Sequence, residues 1–276
     1  MPELPEVETV CRGLNQVTSG LTVKGALLLL PRTLAYPHDS ITFEEGIKDK
    51  KIIAWHRRGK YLLGELNEGW LGIHLRMTGQ LLWVNQHSEI QKHTRIRLFF
   101  PDDKELRFVD TRTFGKWWFI HDTSALHTII TGLAKMGVEP FSPQFTGDYL
   151  AQKLAKTHRC IKTVLLDQTI IAGIGNIYAD EALFKSGILP QTKACDLTIV
   201  QTEALRKAII AVLTDSINAG GTTFSDFLQV TGVNGNYGGM AWVYGRYNQP
   251  CRICGNLIQK VKLQGRTSHF CTHCQN

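Results

Sequence analysis

Cys251, Cys254, Cys271 and Cys274 form the pattern C-x2-C-x16-C-x2-C, the spacing with which two knuckles present four thiolates to one zinc ion. Sulfur at all four positions leaves the metal no open coordination site, so its role would be structural and not hydrolytic. Between the pairs, LIQKVKLQGRTSHF alternates as two strands joined by a turn at Gln264, Gly265 and Arg266. Arg266 therefore belongs at the tip of a metal-stapled hairpin, either as a solvated turn residue or as a ligand for an anion. A second candidate is IIAGIGNIYADEAL, where Gly173, Ile174 and Gly175 run into a helix starting near Asn176. Such a start either aims backbone N–H groups at a phosphate or makes a tight helix corner. Three further segments, RRGKYLL, HLRMTGQL and DTRTFGKWWF, set Arg, Lys or His beside Met or Phe near strand ends. By residue type Met77 and Phe114 are core candidates; exposed, they would wedge between bases. His93, Arg95 and Arg112 read as solvated groups or as phosphate ligands.

These groups need elements to hold them. From Pro5 onward, Leu4, Val7, Val10, Cys11, Leu14 and Val17 recur at three- and four-residue spacing, the stripe of an amphipathic helix with proline in its first turn and glutamates at its positive end. Eight short runs rich in β-branched and aromatic residues follow between residues 22 and 120: TVKGALLLL, KIIAWHRR, YLLGEL, LGIHL, QLLWV, TRIRLFF, ELRFVD and KWWFI. They predict an antiparallel sandwich or barrel. Gly and Pro punctuate a linker at 133–147, and helical patterns follow from YLAQKLAK to the long TIVQTEALRKAIIAVLTDSINAGG. The stretch from Gly220 to Gly245 carries seven glycines, too irregular for a helix and of the kind that forms a lid.

Composition narrows the class. With 43% hydrophobic and 20% charged residues the chain is globular, which excludes a disordered tail protein. The net charge of +7 favours a polyanionic partner. No acidic residue follows Asp226, whereas Arg246, Arg252, Lys260, Lys262 and Arg266 do. Seven cysteines, an odd number, do not form a secreted disulfide framework. The longest aliphatic run, Ala26 to Leu30, is too short to span a bilayer, so the expectation is a soluble protein of a reducing cytoplasm, with Cys11, Cys160 and Cys195 as buried thiols.

Taken together, MPELPEVE, RRGKYL, HLRMTG, DTRTFG, GIGNIYADEAL, GGTTFSDF and the terminal CRICG and GRTSHFCTHCQ segments resemble the bacterial formamidopyrimidine-DNA glycosylase family from first residue to last. The resemblance implies removal of oxidised purines, chiefly 8-oxoguanine and formamidopyrimidines, from double-stranded DNA, followed by β,δ-elimination at the abasic site. It implies an α+β multidomain fold: an N-terminal helix with an antiparallel β-sandwich over 1–132, a linker at 133–147, a helix-two-turns-helix domain over 148–246 and a zinc-finger β-hairpin over 247–276. A monomer bound to DNA, with one structural zinc ion (Zn2+) held by the four cysteines and no membrane partner, completes the expectation.

The resemblance also assigns roles. Met1 is removed and Pro2 becomes the nucleophile through a Schiff base. The chemistry suits a terminal amine, of which about a tenth is unprotonated at neutral pH, against well under 0.1% for a lysine. Glu3 matches the acid/base residue and Glu6 a supporting carboxylate; both also compensate the helix dipole. Lys60 matches a lysine that contacts phosphate and assists elimination, and Arg266 the finger arginine. Met77, Arg112 and Phe114 match the trio that fills the gap left by base flipping, with Arg112 facing the orphaned cytosine. His93 and Arg159 match backbone contacts and Asn176 a phosphate-binding asparagine. Thr272 stands where many relatives carry proline, and Thr78 follows Met77 where relatives vary. The endonuclease VIII branch, which prefers oxidised pyrimidines, is the nearest rival, and Leu4 with Met77, Arg112 and Phe114 favours the purine branch. A zinc-ribbon DNA-binding protein without catalysis is the alternative of a different class; Pro2, Glu3, Lys60 and Arg266 argue against it.

Overall fold

The stripe Leu4, Val7, Val10, Cys11 and Leu14 becomes the buried face of helix α1, Leu4–Thr18. Pro5 occupies its first turn, where an N–H would have no helical partner. Glu3 and Glu6 form a capping box around its start. Gly20, at φ 84°, follows its last turn in the left-handed region that glycine adopts without strain. The computed structural model describes residues 1–222, 230 and 235–276. Its chain divides into a first unit, Met1–Ala134 with Ala219–Asn236, and a second, Lys135–Asn218 with Tyr237–Asn276.

The first unit holds strands β1 (Gly25–Leu28), β2 (Leu34–Tyr36), β3 (Ile52–Arg58), β4 (Tyr61–Leu66), β5 (Trp70–His74), β6 (Gly79–Asn85), β7 (Thr94–Phe99), β8 (Lys104–Asp110) and β9 (Lys116–Ile120). They form a four-stranded sheet, β1-β7-β8-β6, and a five-stranded sheet, β2-β9-β5-β4-β3. One apolar cluster takes Leu81, Ile96, Leu98, Leu106 and Phe108 from the first sheet and Trp55, Leu62, Leu71, Ile73 and Trp117 from the second, with Val7 and Leu14 of α1. All eight runs expected as strands are strands. Besides two single turns of helix at its end, two elements of this unit were not legible: β2, and helix α2, Ser40–Ile47. Strand β2 pairs parallel with β9, so the larger sheet is mixed and not antiparallel throughout. Three residues between Pro31 and Pro37 are too few to show a period, and β9 supplies the pairing. Asp39 caps α2 by accepting a hydrogen bond from Thr42 N (2.7 Å), which outweighs the β-branched Ile41 and Thr42. Two short turns of helix, α3 (Leu126–Ile129) and α4 (Thr131–Ala134), close this stretch.

The second unit comprises α5 (Gly147–Leu154), α6 (Ile161–Leu165), α7 (Asn176–Lys185), α8 (Ile199–Asn218), α9 (Tyr237–Met240) and the hairpin β10 (Gln259–Leu263) with β11 (Arg266–Phe270). α7 packs on α8, and the Tyr178 and Ser216 hydroxyls share a buried hydrogen bond (2.6 Å). The fully buried Glu181 accepts the N–H groups of Trp242, Val243 and Tyr244 (2.8, 2.9 and 2.9 Å), while burial pushes its carboxyl above the ordinary range. The Gly-rich stretch does contain a helical turn, α9, seated by the buried Tyr237. Cys160 and Cys195 are only half-buried. Arg266 opens β11 opposite Leu263, and the turn itself is Gln264 and Gly265, both at positive φ. Of the lid expected from Gly220 to Gly245, residues 223–229 and 231–234 lie outside the described residues. Among the described residues no helix is long and apolar enough to cross a membrane.

Candidate active site

In the first unit the start of α1 gathers Pro2, Glu3 and Glu6, all buried. The Glu6 carboxylate accepts Glu3 N–H at 2.8 Å through Oε2, and Thr222 N–H and Oγ1–H at 2.8 and 3.1 Å through Oε1. It thus ties the helix start to a segment 216 residues away. Gly221, at φ 82°, lets that segment approach: an added Cβ would lie 3.2 Å from Glu6 Cγ. Glu3 and Glu6 thus place two buried carboxyl groups at the positive end of α1. An amine at Pro2 would sit beside both a proton acceptor and the helix dipole.

Lys60 lies in the two-residue turn between β3 and β4, beside Gly59 at φ 56°, and is only 8% exposed. Its hairpin is locked to α1. Asn15 Oδ1 accepts Trp55 N–H and Asn15 Nδ2 donates to Trp55 O, both at 2.8 Å, and Arg57 Nε pairs with Glu8 Oε2 at 2.9 Å. Across β4 and β5 stands His74, a residue to which sequence reasoning gave no role. Its ring meets Tyr61 edge-on at 4.6 Å, and Nδ1 accepts Arg76 N–H at 3.0 Å. Burial, then the positive charges of Arg76 and Lys60, push its pKa down to about 3. His74 is therefore neutral, with the proton on Nε2 as a directed donor. The histidine of HLRMTG was the available signal; its burial was not.

Met77 lies in the β5–β6 turn and is half-buried, whereas Arg112 and Phe114, in the β8–β9 loop, are exposed. Phe114 is thus not the core residue its type suggested, and Arg112 lies over its ring at 5.0 Å. The two turns adjoin because Gly79 and Asp110 are register partners in the β6–β8 pair. His93 Nδ1 shares a hydrogen bond with Arg95 (3.0 Å), and Arg95 Nε donates to Asp110 O (2.9 Å).

In the second unit Asn176 begins α7 and donates from Nδ2 to Thr267 O (3.1 Å), the residue after Arg266. Asp180, one turn on, accepts His269 N–H (3.0 Å) and forms a buried ion pair with Lys162, which also donates to Asn176 O (3.0 Å). Asn176 and the exposed Arg266 are thereby held side by side, and Lys162 and Asp180 do the holding. Arg159 is not part of that group; it pairs with Asp167 Oδ2 at 2.9 Å.

The four cysteine sulfurs lie within 4.8 Å of one another, with Cys251 and Cys274 at 3.9 Å and Cys254 and Cys271 at 3.5 Å. A tetrahedral zinc with bonds of about 2.3 Å needs sulfurs about 3.8 Å apart, and no two are close enough for a disulfide. The set fits one structural zinc ion, which cross-links the knuckles at the base of the β10–β11 hairpin.

Three family descriptions match: "Formamidopyrimidine-DNA glycosylase N-terminal domain" over residues 1–117, "Formamidopyrimidine-DNA glycosylase H2TH domain" over 136–227 and "Zinc finger found in FPG and IleRS" over 248–276. A relative named formamidopyrimidine-DNA glycosylase, from Trichormus variabilis, is 60% identical over the whole of both chains. A Lactococcus lactis Fpg in complex with abasic-site DNA superposes with a TM-score of 0.91 at 33% identity over 99% of each chain. A mutant of the Lactococcus lactis protein with Fapy-dG-containing DNA gives 0.92 at 33% over 100% of each.

Proposed function

The chain belongs to the formamidopyrimidine-DNA glycosylase family, and from that premise we propose how its own residues act as a DNA glycosylase and abasic-site lyase of base excision repair. The substrate is duplex DNA bearing an oxidised purine, 8-oxoguanine or a formamidopyrimidine, or an abasic site. Once Met1 is removed, the Pro2 amine bonds to C1′ of the damaged nucleotide, and the base departs with the electrons of the glycosidic bond. Glu3 gives a proton to the ring oxygen as the sugar opens. The resulting iminium stays cationic without holding a proton. The Glu3 carboxylate, freed of the proton it gave, takes one from C2′; the electrons of that C–H bond flow into the iminium and then expel the 3′ phosphate, and a second elimination expels the 5′ phosphate. Glu6 holds the helix start in place. Lys60, Asn176 and Arg266 bind phosphates, with His93 and Arg159 as outlying backbone contacts. Met77, Arg112 and Phe114 fill the gap left by the flipped nucleotide. The enzyme works as a monomer in the bacterial cytosol, at the nucleoid.

One observation carries this reading: Pro2 and Glu3 lie buried together at the positive end of α1, with Glu6 accepting the Glu3 N–H. The test is borohydride trapping on duplex DNA carrying one 8-oxoguanine opposite cytosine. The adduct should map by mass spectrometry to the N-terminal peptide, and Pro2→Gly should abolish it while retaining zinc. An adduct on an internal lysine, or undiminished trapping by the variant, would refute the role.

A further inference from the structure

We infer that Asp110, acting through the Thr78 hydroxyl, is the positioning device that holds Met77, Arg112 and Phe114 as one rigid wedge. Asp110 is the last residue of β8 and is wholly buried. Its Oδ1 accepts the Thr78 hydroxyl proton (2.5 Å), and its Oδ2 accepts Gly115 N–H (2.8 Å). A hydroxyl has one proton, so with that proton committed to the carboxylate its lone pairs must face outward. One of them accepts Arg112 N–H at 3.0 Å. The relay therefore runs from the residue after Met77, through the buried Asp110 side chain, to both ends of the loop that carries Arg112 and Phe114. The backbone of Asp110 is fixed in turn by His93 O and Arg95 Nε, each at 2.9 Å.

Two further features call for such a brace. Arg76, before Met77, sits at φ 56°, and Thr113, before Phe114, at φ 57°. These left-handed conformations are unfavourable for residues with a Cβ and persist only where surroundings impose them. Both turns also abut one buried ring. A Cβ on Gly79 would come within 2.8 Å of Phe108, and one on Gly115 within 2.4 Å. Glycine at the end of each motif lets the turns close on that ring, and the Asp110 and Thr78 bridge fastens them to each other. A side chain that must stay in an opened base stack needs this rigidity, because an exposed loop would otherwise fold Phe114 onto the surface.

This inference rests on the proposed reading that Arg112 faces the orphaned base. The experiment compares wild type, Thr78→Val, Thr78→Ser and Arg112→Ala. Single-turnover excision of 8-oxoguanine is measured opposite cytosine and opposite adenine, and hydrogen exchange is followed in the peptide covering residues 111–115. Thr78→Val removes the hydroxyl and should lower the cytosine-to-adenine ratio by about tenfold, as expected for a lost bond to a charged partner. It should also speed exchange of the Arg112 amide, with zinc content unchanged and a lowered unfolding midpoint, because the buried Asp110 Oδ1 loses its donor. Thr78→Ser restores the hydroxyl and should retain both properties; Thr78→Ala is the second variant should valine crowd the turn. A wild-type ratio and unchanged exchange in Thr78→Val and Thr78→Ala, with a reduced ratio in Arg112→Ala, would overturn the brace and leave the reading of Arg112 standing. An unaltered ratio in Arg112→Ala would overturn that reading and the brace with it.

Discussion

His74 makes the first unit acid-sensitive by an amount that can be worked out. Its ring is 8% exposed, between Tyr61 and the Arg76 amide, with Lys60 and Arg76 as nearby positive charges. Folding lowers its pKa from 6.5 to about 3. The unfolded chain thus takes up a proton that the folded one refuses. The sign follows: the stabilising contribution is complete above the unfolded value and is lost as pH falls from there toward the folded one. At about pH 5 the unfolded ring is almost fully protonated and the folded ring almost fully neutral, which costs roughly 2 kcal/mol. Any folded value well below 5 gives the same loss. His74→Gln keeps a polar group near the Arg76 amide and removes the titration. Urea unfolding followed by tryptophan fluorescence reads out the first unit, because five of the six tryptophans (Trp55, Trp70, Trp83, Trp117 and Trp118) lie in it. Between about pH 7.5 and 5 the wild type should lose roughly 2 kcal/mol more than His74→Gln. Parallel pH profiles for the two proteins would refute the claim that this ring is held neutral.

Zinc removal should act through the hairpin: Cys254→Ser should lower bound zinc from one ion per chain to a small fraction and weaken DNA cleavage, read by metal analysis and a nicking assay. Breaking the buried pair by Lys162→Met leaves Asp180 without its cation, and thermal unfolding should show a loss of about 3–5 kcal/mol. Glu6→Gln replaces one acceptor oxygen by a donor among three N–H and O–H donors. It should cost roughly 1.5–3 kcal/mol in denaturation and reduce borohydride trapping in parallel.

Elements with a short internal period were legible in advance. The α1 stripe, the eight strand runs and the hairpin between the cysteine pairs each announce themselves within a dozen or so residues, because side-chain alternation reflects a local choice of backbone. Strand β2 was not legible, since its pairing with β9 links Leu34 to Trp117. Helix α9 was hidden by its two glycines and exists because the buried Tyr237 anchors it. The zinc ligands could be read outright, as thiolate chemistry depends on spacing along the chain and little else.

By itself, then, the sequence determined which groups this enzyme has to work with: a proline beside two glutamates, four thiolates in two pairs, and glycine-ended turns bearing Met77, Arg112 and Phe114. Only the tertiary structure decided their states. It buried His74 and so made it neutral, joined Thr78 to Asp110 across 32 residues, and set Asp180 between Lys162 and His269. A pKa and a hydrogen-bond direction depend on what excludes water and which partner arrives from elsewhere in the chain. Neither is a property of a residue and its sequence neighbours.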